Sequence, residues 1–190
     1  MTKELAELVV AAQAGDRKAF DEVVRQTYTD AFTLARRLTR NEEDARDVVQ
    51  EAYLRAYRSI GSFRGDSAFP TWLYRITANC AATYMTKRSN LQHDRLDDEY
   101  ELADLRAEVN PEQRGDNGAD RVLLNAALKG LPDTLRAVVV LRDIYDLPHE
   151  DIARELGISE TTAKVRLHRA RKKLRERLYP LRGEETADAV

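Results

Sequence analysis

Apolar residues return every three or four positions along most of this chain, the period of an amphipathic helix rather than the alternation of a strand. Leu5, Leu8, Val9 and Ala12 predict a short helix at 4–14, closed by Gly15. Asp16 is an N-cap residue, and Phe20, Val24, Ala31, Ala35 and Leu38 carry a longer helix to residue 39. Asn41 can cap the next, 42–59, which has acidic residues in its first turn where the helix dipole favours them. A glycine-punctuated loop follows at 61–70, and then Leu73, Ile76, Thr77, Cys80 and Tyr84 form the core stripe of a helix from 71 to about 87. Periodicity resumes at 120–130 around Val122, Leu123, Ala126, Ala127 and Leu128, ended by Lys129 and Gly130. Leu131 and Pro132 open another helix through DTLRAVVVLRDIYDL, and two more are expected at 149–156 and from 160 onward.

The last pair has a spacing of its own. Ile152, Ala153 and Leu156 share one face, Gly157 supplies a left-handed helix end, Ile158 plugs the corner, and Ser159 caps the helix that starts at Glu160. This is the pattern of a helix-turn-helix. Ala163, Leu167, Ala170, Leu174 and Leu178 make a narrow buried stripe, so Thr161, Val165, His168, Arg169 and Lys172 must point outward. Lys164, Arg166, Arg171, Lys173, Arg175 and Arg177 lie on the flanks. Residues 159–178 hold eight Lys or Arg against two Glu, in a chain whose total charge is −2. Such local charge attracts phosphates, and with the turn before it the helix reads as one that enters a major groove.

Two other stretches carry more than a helical core needs. In 42–59, Val48, Val49, Ala52, Tyr53, Ala56 and Tyr57, followed by Ile60, cover a broad apolar arc beside a ridge of Asp47, Gln50, Glu51, Leu54, Arg55 and Arg58. An ordinary two-sided bundle helix and a docking face for a partner helix both fit that arc. The 61–70 loop holds Phe63 and Phe69, and Trp72, Arg75 and Asn79 share the side of the next helix opposite its core stripe. A ring, a cation and an amide in that arrangement suit a single nucleic-acid strand. Packing of Trp72 under the loop explains the ring equally well.

Composition narrows the class. The chain has 190 residues, 34% of them charged, with no apolar run of the roughly 18 residues that a membrane span requires. No signal-peptide pattern opens it, so a cytoplasmic protein without membrane insertion is expected. Cys80 is the one cysteine, and His93, His149 and His168 have no metal spacing, so neither a disulfide nor a metal site is expected. There is no glycine-rich phosphate loop and no nucleophile with a placed base. An enzyme is therefore not expected, nor a cofactor. Residues 91–120 contain ten acidic residues against three arginines and little periodicity, the composition of a flexible acidic tether between two all-helical domains.

Residues 44–79, DARDVVQEAYLRAYRSIGSFRGDSAFPTWLYRITAN, resemble region 2 of the extracytoplasmic-function (ECF) RNA polymerase sigma factors, and of the sigma-E-like members among them. Residues 131–174 resemble their region 4. The resemblance implies an all-α protein divided into region 2 at 1–90, an acidic linker at 91–119, region 4 at 120–180 and a tail at 181–190. It implies a factor that binds core polymerase, recognises minus-35 and minus-10 elements, melts the promoter and directs initiation for a stress or developmental regulon.

Its site residues follow by the same resemblance. Asp47, Gln50, Glu51, Leu54, Arg55 and Arg58 would dock on the clamp helices of the polymerase largest subunit, and region 4 on the flap of the second-largest. Ser62, Phe63, Arg64 and Phe69 would hold a base flipped from the minus-10 element. Asn79 would read a neighbouring base, Trp72, Tyr74 and Arg75 would stand at the opening junction, and Lys87 and Arg88 would hold backbone. The minus-35 element would meet Thr161, Thr162, Lys164, Val165, Arg166, His168, Arg169, Arg171 and Lys172. An anti-sigma factor is a further implied partner. Val165 and His168 depart from the best-known members, so the minus-35 preference is not carried across. Residues 183–190 match no part of the family pattern and are too few for an added domain. A helix-turn-helix regulator that recruits polymerase without melting DNA is the competing class, and it leaves the grouping of Phe63, Trp72, Arg75 and Asn79 unexplained.

Overall fold

Thr2, Asp16 and Asn41 each start a helix by accepting backbone N–H groups that have no partner inside it. Thr2 accepts from Leu5 at 3.3 Å and opens α1, Lys3–Gln13. Asp16 accepts from Lys18 and Ala19 at 2.9 and 3.2 Å and opens α2, Arg17–Thr39. Asn41 accepts from Glu43 at 2.8 Å and opens α3, Glu42–Ser59. These observations come from a computed structural model, which describes residues 2–93 and 116–185, with side chains described at 2–88 and 122–178. The predicted tether therefore lies mostly outside the described residues, as does the end of the tail.

A single 3-10 turn, Ile60–Ser62, leads into the loop, and α4 runs over Phe69–His93. The helix begins two residues before the predicted start because Pro70 fits a first turn, where an amide N–H would lack a partner anyway. It also continues six residues past the predicted end. Val23, Leu34, Ala35 and Leu38 of α2 meet Val48, Ala52 and Ala56 of α3 and Leu73, Ala78 and Ala81 of α4 in one core. Alanines along these faces let the three helices approach closely. Tyr53 enters this core with its hydroxyl 2.8 Å from that of Thr27.

The second half comprises α5, Asp116–Lys129, α6, Asp133–Val139, α7, His149–Leu156, and α8, Glu160–Glu185. The helix expected through DTLRAVVVLRDIYDL does not continue to its end. It changes at Val140–Ile144 into one turn of π-helix and stops at Tyr145. That wider turn leaves Leu141 and, beyond it, Leu147 fully buried. Gly157 ends α7 at φ +63°, with the Ile158 N–H reaching back to the Ala153 carbonyl, and Ser159 accepts from Thr162 N–H at 3.1 Å. Leu131, Val138, Leu141, Leu147, Ile152, Ala163, Leu167 and Ala170 form the core there. The described residues contain helices and turns and no strand. The halves are in contact: α7 lies on α4, and the end of α2 meets α5, α6 and the π-turn.

Candidate nucleic-acid interface

The buried stripe of α8 fixes what the helix shows to water. Ala163, Leu167 and Ala170 are buried, and Thr161, Val165, His168, Arg169 and Lys172 are all exposed, as predicted from the 100° spacing. Val165 is 44% exposed, an unshielded apolar side chain among cations. Around it, Lys164 pairs with Glu160 at 2.7 Å, and that hydrogen bond holds the Glu160 carboxyl below its ordinary range. Arg171 forms two bonds to Asp143, at 2.9 and 2.5 Å. Arg166 is half-buried, and the Thr162 hydroxyl lies 2.8 Å from Ser159 Oγ.

Along α3, Asp47, Gln50, Leu54 and Arg58 are exposed, while Glu51 and Arg55 pair at 2.6 Å and are half-buried. The hydrogen bond from Arg55 holds the Glu51 carboxyl below its usual range. The broad apolar arc of this helix is mostly its own core: Val48, Val49, Ala52, Tyr53, Ala56 and Ile60 are buried. What remains outside is Leu54 and Tyr57, and Tyr57 packs its ring edge-on to Phe20 at 5.0 Å.

The loop and α4 form an aromatic triangle. Phe63, Phe69 and Trp72 have ring centroids 5.3 to 5.6 Å apart, with Phe69 fully buried beneath the other two. Trp72 packs under the loop, as one of its two readings expected, and keeps some exposure. Gln13 of α1 donates to the Ile60 and Phe63 carbonyls at 3.0 and 2.7 Å, which pins the loop entrance. Ser62 donates to the Ser59 carbonyl, and Arg64 pairs with Asp66 at 3.1 Å. Lys87 is exposed, and Arg88 closes on Asp44.

The rest of the α4 face is less wet than its residue types suggest. Arg75 pairs with Asp151 of α7 at 2.5 Å. The Asn79 carbonyl oxygen accepts from Arg55 at 3.0 Å, and its amide donates to the Glu155 carbonyl at 3.5 Å. Tyr74 meets Tyr145 edge-on at 4.7 Å, and burial pushes its hydroxyl up to about 12. A cavity of about 410 Å³ remains between Arg55, Arg58, Ser59, Ile76, Asn79 and Glu155.

Residues 23–90 match the Sigma-70 region 2 family, and residues 121–174 match Sigma-70, region 4. The chain is 38% identical to the ECF RNA polymerase sigma factor SigM of Mycobacterium tuberculosis over 169 residues, covering 89% of this chain and 82% of that protein. It is 35% identical to the ECF RNA polymerase sigma-E factor of Escherichia coli over 190 residues, covering 95% and 98%. The chain belongs to the ECF sigma factors. The sigma factor RpoE of Bartonella quintana, solved with the anti-sigma factor NepR, has a similar structure, with a TM-score of 0.64 and 26% identity over 85% of this chain and 98% of that one.

This sigma factor is thus a transcription initiation factor with a DNA-binding helix-turn-helix in region 4. No helix among its described residues is long and apolar enough to cross a membrane. Sequence reading missed the residues that join its halves, namely Arg37, Arg40, Arg136, Tyr145 and Asp151. One signal was present: Arg136 interrupts an apolar run, LRAVVVL, where a cation needs buried acceptors.

Proposed function

We propose that this sigma factor acts in the cytoplasm, docks on the clamp helices of the polymerase largest subunit through the outer ridge of α3, and sets region 4 on the flap of the second-largest subunit. Polymerase then spaces two DNA surfaces. The outward face of α8 reads the minus-35 element, with Val165, His168 and Arg169 toward base edges and Lys164 and Lys172 toward phosphates. The loop and α4 take the minus-10 strand. Phe63 and Trp72 offer rings for an extruded base, Asn79 an amide for a base edge, and Arg75 and Lys87 charge for the backbone. Extruding a base costs a few kcal/mol, and stacking on a ring returns about 1–3 kcal/mol, so opening is favourable only where the extruded base also fits. An anti-sigma factor would cover these surfaces in the resting cell.

The observation that carries this reading is the placement of Trp72, Arg75 and Asn79 along one face of α4, with Phe63 against Trp72. A regulator that only recruits polymerase has no use for it. The test is run-off transcription by core polymerase with this protein, on a promoter selected from genomic fragments, as duplex and with the minus-10 region pre-melted. Asn79→Ala and Phe63→Ala should reduce initiation from duplex by tenfold or more and recover much of it on the melted template. Protein-dependent initiation that ignores both changes would leave region 2 as a docking module only.

A further inference from the structure

Gln13 is the last residue of α1, and its side chain reaches a turn 47 to 50 residues further along the chain. Its amide nitrogen donates to the Ile60 carbonyl at 3.0 Å and to the Phe63 carbonyl at 2.7 Å. A side-chain amide carries two N–H hydrogens, so each carbonyl can take one. The two acceptors stand at either end of the 3-10 turn that opens the loop, and the Phe63 N–H closes the same turn on the Ile60 carbonyl at 3.0 Å. Phe63 therefore has its backbone N–H and its carbonyl both held, while its ring rests on Phe69 and Trp72.

The anchor itself is firmly seated. Leu5, Val9 and Ala12 bury one face of α1 in the core, and Gly15 at φ +95° turns the chain toward the Asp16 cap of α2. Beyond Phe63 the loop is exposed at Arg64, Gly65, Asp66 and Ala68. Ser62 bonds to the Ser59 carbonyl and Arg64 to Asp66, contacts within the loop and its approach. The tie from α1 comes instead from a separate element. Gln13 also lies outside residues 23–90, the part of the chain that matches region 2.

We propose that Gln13 is a positioning residue for minus-10 recognition: its amide fixes the turn that presents Phe63, so that the ring is already oriented to stack an extruded base. The inference rests on the reading of the loop as the minus-10 reader. A turn that exchanges among several conformations captures a base only in the competent one, and the apparent affinity falls by the fraction of time spent there. Ordering the turn in advance strengthens capture without any new contact to DNA. In this way α1 contributes to promoter opening through Phe63. A lone acceptor or an apolar side chain at position 13 cannot replace it, because both loop groups are carbonyls and require a donor.

Full-length variants assembled into holoenzyme test this. Gln13→Met removes the donors at similar length, Gln13→Glu sets a carboxylate against two carbonyls, and Gln13→Lys returns a donor that can serve both. Denaturant midpoints and affinity for core polymerase establish that each variant is folded and assembled. A fluorescent aminopurine placed in turn at each minus-10 position then reports base capture, and run-off transcription compares duplex with pre-melted template. Gln13→Met should lower capture and duplex initiation by roughly fivefold, the factor that one hydrogen bond of ordinary strength is worth, and affect the pre-melted template less. Gln13→Glu should lose more, and Gln13→Lys should recover most of the wild-type signal. On a Phe63→Ala background Gln13→Met should add little further loss, because it acts through that ring. An equal added loss on both backgrounds, or no recovery with Gln13→Lys, overturns the positioning role and makes Gln13 a packing residue. Wild-type capture in Gln13→Met and Gln13→Glu, with Phe63→Ala still defective, overturns it too and leaves the loop as the reader. A Phe63→Ala holoenzyme with wild-type capture overturns the reading of the loop, and this inference with it.

Discussion

The Tyr84 hydroxyl donates to the Asp44 carboxylate at 2.7 Å, tying α4 to the first turn of α3. Arg88 closes on the other carboxylate oxygen, so one buried acid anchors two successive turns of α4. Donation to that carboxylate also raises the Tyr84 phenol above its ordinary value. Asp44→Ala should therefore cost about 2 kcal/mol, the usual range for hydrogen bonds to a charged group, and lower the pH at which Tyr84 ionises. Arg88→Ala should cost under about 1 kcal/mol, because its side chain is half exposed to water. Denaturant midpoints give the first pair of numbers and ultraviolet absorbance of tyrosinate gives the shift. Equal costs for the two substitutions would show that Asp44 is held by something other than Tyr84 and the α3 dipole.

Two glycines in region 4 should respond differently to alanine. Gly157 sits at φ +63° with open space where a Cβ would be, so Gly157→Ala meets no clash and pays only the left-handed backbone, about 1–2 kcal/mol. At Gly130 an added Cβ would fall 1.5 Å from Arg177 Nη1, a collision with the far end of a flexible side chain. That nitrogen is buried without a hydrogen-bond partner, so Arg177 loses little by swinging outward. Gly130→Ala should stay within about 0.5 kcal/mol of wild type. Urea unfolding of the two variants side by side decides it, and a larger loss at 130 than at 157 would contradict the geometry.

On α8, charge and shape should separate experimentally. Each phosphate contact contributes about 0.9 to the slope of log affinity against log salt, so Lys172→Ala in the holoenzyme should flatten the slope by about that amount at every promoter. Arg171→Ala should change it less, because that guanidinium already bonds Asp143. Val165→Asn should leave the slope intact and instead change the preferred base at one minus-35 position, where a mismatch costs about 1–3 kcal/mol. Binding measured between 50 and 200 mM salt, a range of roughly 10³ or more in affinity for such proteins, distinguishes the two kinds of residue.

Local chemistry made much of this readable. Asp16, Asn41 and Ser159 are caps whose backbone N–H donors lie two or three residues away, so the helix starts they mark were legible without any tertiary information. The outward face of α8 was legible because its alanines and leucines leave one orientation that buries them. The wet face assigned to α4 was legible only by residue type. Arg75 and Asn79 are half-buried because α7 lies on them, and a pairing between residues 75 and 151 has no signature in periodicity. Arg136 was harder still. Its acceptors in α2 are backbone carbonyls, which every residue possesses, so nothing at Arg37 or Leu38 announces the contact. The π-turn at Val140–Ile144 is set by the need to bury both Leu141 and Leu147, a tertiary demand that overrides the helical run.

Tyr53 gives the protein an alkaline limit. Burial in the α2, α3 and α4 core pushes its hydroxyl from 10 up to about 12, against a smaller opposing pull from Thr27. A phenol whose ionisation is harder in the folded state stabilises folding fully below the unfolded value, and that contribution is lost as pH rises from 10 through 12. Two pH units correspond to a loss on the order of 2–3 kcal/mol. Tyr74 adds to the loss in the same window, and Cys80, raised from 9 to about 11, adds its own between pH 9 and 11, so the total does not identify Tyr53. The difference between wild type and Tyr53→Phe does. At neutral pH the variant should lose only about 0.5–1.5 kcal/mol, because Thr27 keeps its bond to the Val23 carbonyl. Between pH 10 and 12 the gap should close and then reverse, as wild type alone must ionise a buried hydroxyl to stay folded or unfold to expose it. Guanidinium midpoints at half-unit steps of pH measure this, and a gap that stays constant across the window would place Tyr53 ionisation outside the folding equilibrium.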